Sequence, residues 1–278
     1  MRQTKLAVLL SVLFAGPAAA EPLEMFNNRL FVGVSVNGTA TRALLDSGAE
    51  MSILDDDFAA RAGLSGSGSA TTHGSGAGTM EARFAEDVAV RAAGEDLRQR
   101  VAILDLGEVS GRLIGRPLDM ILGRELFDRA RLRIDISGGT IDPAPAGEPA
   151  GVRLALGDHR GIPTIAAAVE GQAPVATVFD LGNGSEVLIG RAYAERIGLT
   201  VPDRIVERRS GGGLGGAQER DIVILRSLNV GGREFRDVRA AIDPGETASD
   251  LNIGTSILRH FLITTDFAGR AVWLEPRP

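Results

Sequence analysis

Leu30, Val32, Val34 and Val36 occupy every second position of residues 29–36. A period of two puts them on one face of a strand. Asn37-Gly38 follows, a dipeptide suited to a tight hairpin turn, and residues 41–45 read as the return strand. That strand runs through Leu44-Leu45 into Asp46, then Ser47, Gly48 and Ala49. Glycine accepts backbone angles that other residues resist, so the aspartate stands on a narrow turn. Met51-Ser52-Ile53-Leu54 is the next apolar run, and Asp55 predicts a capped helix over residues 56–62 that stops at Gly63. Residues 65–79 are rich in Gly, Ser and Thr, which suits a linker or a mobile hairpin. Residues 84–90 and 99–104 read as strands. Residues 119–127 run from an apolar segment through Gly123 into a short helix, and residues 132–136 and 140–141 read as a hairpin.

Residues 143–149 hold three prolines, which excludes a central strand or helix and predicts a linker over 143–160. Beyond it the pattern restarts. Residues 165–169 lead to Glu170-Gly171, and residues 175–179 lead to Asp180-Leu181-Gly182-Asn183. Residues 187–189 echo 53–54, and residues 192–199 echo the helix that ends at Gly63-Leu64. The glycine-rich stretch returns at 211–216, and Leu251-Asn252-Ile253-Gly254 echoes Ile121-Leu122-Gly123. Asp46 precedes Gly123 by 77 residues and Asp180 precedes Gly254 by 74. Six features kept in order over about 115 residues imply two homologous β-rich lobes, at 21–142 and 161–278.

Composition changes this picture at the N-terminus. Arg2 and Lys5 precede an apolar run over residues 6–15, then Gly16-Pro17 and Ala18-Ala19-Ala20. This is the layout of a secretory signal peptide over residues 1–20, cleaved after Ala20. The apolar run is too short to span a bilayer. Cleavage takes the formal charge from −6 to −8. An exported chain without cysteine has neither a disulfide framework nor a lipoprotein anchor, and it fits a bacterial periplasm or the extracellular space. No basic patch marks a nucleic-acid surface. His73, His159 and His260 stand too far apart in sequence to suggest a metal site.

Leu44-Leu45-Asp46-Ser47-Gly48-Ala49, then Ile53-Leu54, a glycine-rich hairpin and Ile121-Leu122-Gly123-Arg124-Glu125-Leu126, resemble the retropepsin-like aspartic proteases. The resemblance covers residues 29–142 and, more weakly, 161–275. It implies an all-β fold with a few short helices, in which two acid-protease β-barrel lobes are related by a pseudo-twofold axis. It implies an aspartic endopeptidase without metal or cofactor, with Asp46 and Asp180 as a catalytic pair acting on a peptide or protein. Ser47, Gly48, Ala49 and Gly182 would support the turns. Leu122-Gly123 and Ile253-Gly254 would pack beneath them. Gly74, Ser75, Gly76 and Ala77 would form one flap, and Gly212, Gly213, Leu214 and Gly215 the other. The chain would act as a monomer that mimics a dimer. Leu181 stands where the pattern has Ser or Thr, and one residue is inserted before Val187. That departure leaves an alternative open: a catalytically inactive peptide-binding protein on the same fold.

Overall fold

A computed structural model describes residues 20–74 and 76–277. The expected signal segment lies outside the described residues apart from Ala20, as does Ser75 of the expected first flap. Among the described residues no helix is long and apolar enough to cross a membrane.

The first lobe begins with a meander of Glu21–Phe26, Arg29–Val36 and Thr39–Leu45. Asn37 and Gly38 both take positive φ, 48° and 85°. That is the geometry of the tight turn expected of this dipeptide. Thr39–Leu45 pairs in parallel with Met120–Leu122, which pairs antiparallel with Ile53–Asp55. Ile53–Asp55 in turn lies parallel to Glu95–Leu104. Asp55 caps the helix Asp56–Arg61 by accepting from the amides of Asp57 and Phe58. The second lobe repeats the order. Val175–Phe179 lies parallel to Leu251–Ile253, which is antiparallel to Val187–Gly190, itself parallel to Arg233–Asp243.

Shared registers identify equivalent strand positions in the two lobes. Ile53 faces both Ala102 and Ile121, while Leu188 faces both Ala241 and Asn252. Asn252 therefore occupies the place of Ile121. By the same reading Val178 stands for Leu44, Arg220 for Ala82 and Asp243 for Leu104.

The lobes join through a shared sheet. Leu132–Asp135 pairs antiparallel with Phe261–Asp266, with Ile134 opposite Ile263, Arg133 opposite Thr264 and Leu132 opposite Thr265. Gly123 to Asp135 and Gly254 to Asp266 span the same distance, so Thr264 is the counterpart of Arg133. Each residue in this pairing faces its own counterpart's neighbourhood, as across an isologous interface. The pseudo-twofold axis runs between Arg133 and Thr264. Buried Leu132, Ile134, Ile263 and Val272 make one apolar core continuous through both lobes. The stretch 143–160 is not linker throughout. Val152–Ala155 pairs with Ala271–Pro276, and Gly157–His159 pairs with Ile162–Val169. Pro143 ends the strand Thr140–Pro143, and the chain beyond Pro149 adds itself to two sheet edges.

Candidate active site

Each aspartate leaves its strand beside the apolar-glycine segment of its own lobe. The Asp46 amide donates to the Leu122 carbonyl at 3.0 Å, and the Asp180 amide to that of Ile253 at 3.0 Å. Gly123 and Gly254 then let a second turn approach. A Cβ on Gly123 would sit 2.8 Å from the Met51 carbonyl carbon, and one on Gly254 would collide with the Asn183 main chain. These are close approaches that only glycine permits.

The two turns meet at the pseudo-twofold axis. A Cβ on Gly48 would lie 3.2 Å from the Asp180 carboxyl carbon, and one on Gly182 would strike the Asp46 carboxyl. Both carboxyls are partly buried and within hydrogen-bonding reach of each other. Asp46 Oδ1 accepts from the amides of Gly48 at 2.8 Å and Ala49 at 3.1 Å. Asp180 Oδ1 accepts from Gly182 at 2.9 Å and Asn183 at 3.0 Å. Burial, and then the neighbouring charge of Asp180, push the Asp46 pKa up to about 8. Burial also raises Asp180, opposed first by a hydrogen bond from Asn252.

Ser47 is fully buried and reaches across the axis. Its hydroxyl donates to the Phe179 carbonyl at 2.8 Å and accepts from the Leu181 amide at 3.0 Å. Leu181 is buried with the apolar core and returns no hydroxyl. The cross-axis brace is thus built from the first lobe's serine.

The supports beneath the turns also differ. In the first lobe Glu125 accepts from the Ser52 amide at 2.8 Å and from its hydroxyl at 2.9 Å, while the Gly123 amide donates to Ser52 Oγ at 3.0 Å. In the second lobe Asn252 Nδ2 donates to Asp180 Oδ2 at 2.7 Å. Asn183 Nδ2 donates to Asn252 Oδ1 at 2.9 Å and to the Glu186 carbonyl at 3.2 Å, and Asn183 Oδ1 accepts from the Ser185 amide at 2.8 Å. The inserted residue before Val187 shapes this loop. Sequence reading passed over Asn252, Glu125 and Arg29. Asn252 was visible as a lone polar residue inside an apolar strand. Arg29 is 9% exposed, and Asp180 is the foremost charge acting on it, ahead of Asp46. Its Nη1 donates to the carbonyls of Asn27 and Leu113 at 3.2 and 3.0 Å.

One set of equivalent strand positions is unlike in the two lobes. Phe31, Leu44, Ala82, Leu104 and Ile121 form a buried apolar cluster on the first lobe's side. Their counterparts are Thr164, Val178, Arg220, Asp243 and Asn252, and Arg220 donates to Asp243 at 3.1 Å. The glycine-rich hairpins meet tip to tip. Gly76 donates to the Leu214 carbonyl at 2.7 Å and Gly78 to that of Gly215 at 2.6 Å. Gly74 abuts Leu214, whose side chain packs against the first lobe's apolar cluster. Gly212 and Gly213 form the strand end of that second tip. Arg112 holds it from the first lobe, donating to the carbonyls of Gly211 at 3.2 Å and Gly213 at 2.7 Å. Ala77 is exposed at the other tip.

A family model described as aspartyl protease matches residues 32–126 and again 165–257. No curated protein matches this chain. Among solved structures, the chain is similar to a retropepsin-like aspartic protease from Rickettsia conorii. The identity is 19% over 44% of this chain and 88% of that one, with a TM-score of 0.36.

Proposed function

The chain belongs to the aspartyl protease family, and from that premise we propose that it is an exported aspartic endopeptidase with Asp46 and Asp180 as its catalytic pair. The observation that carries this reading is the close approach of two carboxyls, one from each lobe, each held by two main-chain amides of its own turn, with Asp46 raised to about 8. Two adjacent carboxyls cannot both ionise freely, so they hold one proton between them near neutral pH. The ionised member takes a proton from a bound water as its oxygen attacks the scissile carbonyl carbon. The protonated member gives its proton to the carbonyl oxygen. The tetrahedral intermediate then collapses, the C–N bond breaks, and the amine leaves with a proton returned through the pair. No covalent adduct with the protein forms.

The hairpin tips close over an extended peptide in this reading and exclude water from it. They must part to admit substrate. The basic start, apolar run and Ala-x-Ala site of residues 1–20 support export. The internal repeat supports a monomer that supplies both aspartates itself.

Leu181 favours a second reading, peptide capture without turnover, because it cannot return the hydroxyl that Ser47 supplies. One experiment separates the two. The full chain is incubated with an unfolded protein substrate from about pH 3 to about pH 9, and fragments are identified by mass. Cleavage is expected, and Asp46→Asn and Asp180→Asn should each lower its rate by roughly 10²- to 10⁴-fold. Fragments produced equally well by both variants would overturn the assignment. Peptide binding without fragments would favour capture.

A further inference from the structure

Deepening the protease reading, on which the idea rests, we propose that Asn252 is the positioning residue that sets the dyad's negative charge on Asp180 and its shared proton on Asp46. The two turns are alike except here. Each aspartate accepts two main-chain amides on Oδ1. Among the described residues, only Asp180 accepts a third donor, the Asn252 amide at 2.7 Å on Oδ2. At the same register in the first lobe stands Ile121, which has nothing to donate.

The direction of that bond is fixed by the main chain. The Ser185 amide can only donate and the Glu186 carbonyl can only accept, so Asn183 must turn its oxygen to the first and its nitrogen to the second. Asn183 Nδ2 then faces Asn252 Oδ1, which leaves Asn252 Nδ2 for Asp180. A donor aimed at a carboxyl favours its ionised form. The charged groups around Asp180 act in a consistent sense. Asp46 faces it across the axis and stays neutral if it carries the proton. Arg29 brings a buried positive charge from the first lobe, with Arg112 beyond it. Arginine cannot be a proton donor at these pH values, so only the two carboxyls share the proton.

The roles follow. Asp180 is the base that takes the water proton, and Asp46 is the acid that gives its proton to the scissile carbonyl oxygen. The two protons are conserved across the step: one passes from water to Asp180, the other from Asp46 to substrate.

The test is a carbon-13 NMR titration of the full chain labelled in its aspartate carboxyls. Asp46→Asn and Asp180→Asn assign the pair. In the unmutated chain the lower of the two steps is expected mainly on the Asp180 signal. In Asn252→Leu, which keeps the branched outline and removes the donor, that step should rise by about one pH unit or more, the usual worth of a hydrogen bond to a charged group. The acid limb of the kcat profile should move with it, whereas a variant that merely loosened the fold would lower kcat without moving the limb. A lower step carried by Asp46, or one unmoved in Asn252→Leu, overturns the proposal. If Asn252→Leu does not fold, the order of the two signals in the unmutated chain decides alone. Failure of the protease reading shows separately, as an unmutated chain that titrates in the expected order yet cleaves nothing.

Discussion

Burial, with the neighbouring charge of Asp180, pushes the Asp46 carboxyl from its ordinary range up to about 8. Folding therefore favours its protonated form. The stability this contributes is fully present below about pH 4 and is lost as pH rises through about 8. Asp46→Asn removes the titration while keeping the shape. Unfolding by denaturant at several pH values should show the unmutated chain losing roughly 3 to 5 kcal/mol between pH 4 and pH 8, less whatever Asp180 absorbs of the shared charge. The Asn variant should lose much less over that range. Parallel curves for the two would mean that Asp46 is not a buried carboxyl. The position of Asp46 was legible because it depends only on local pattern: an apolar strand, then a turn that needs glycine. Asn252 was not legible in the same way. Its meaning lies in the aspartate that ends the neighbouring strand and in how Asn183 is turned, and neither is a property of residues 251–253.

The elements carry a second kind of information. Both glycine-rich stretches were readable as hairpins, because glycine clusters fall between strand-like runs at matching places in the repeat. Their union was not readable. It depends on main-chain bonds from Gly76 and Gly78 to Leu214 and Gly215, and on Arg112 reaching from a short helical segment of the other lobe. Residues 107–114 show no clear period, so the sequence left that segment unassigned. If Arg112 latches the second tip, Arg112→Ala should speed amide hydrogen exchange at Gly76 and Gly78 by roughly tenfold, since one charge-assisted bond is worth about 1.5 kcal/mol. Exchange at the Asp46 amide, inside the sheet beside Leu122, should hold steady. Unchanged exchange at both glycines would rule out the latch.

At the scale of the molecule one set of equivalent positions differs more than the two turns do. The first lobe has Phe31, Leu44, Ala82, Leu104 and Ile121 where the second has Thr164, Val178, the ion-paired Arg220 and Asp243, and Asn252. A buried ion pair keeps its hydrogen-bonding needs, whereas an apolar wall has none. Cleavage sites in a diverse peptide mixture should thus be lopsided, with a large apolar residue favoured on one side of the broken bond and a polar one on the other. An equal apolar preference on both sides, read by mass spectrometry, would contradict this.

The shared sheet gives that lopsidedness its deeper reason. Arg133 faces Thr264 where a twofold axis passes, a place at which two identical chains would be obliged to present the same residue twice. A homodimer cannot give its halves different tasks: any change made to one is made to both. Covalent linkage of the two copies lifts that constraint. One half can keep the serine that braces the axis, while the other has leucine at the equivalent position and, where its twin has an apolar strand residue, an asparagine aimed at the Asp180 carboxyl. Division of labour between two inherited equals is what joining them in one chain makes available.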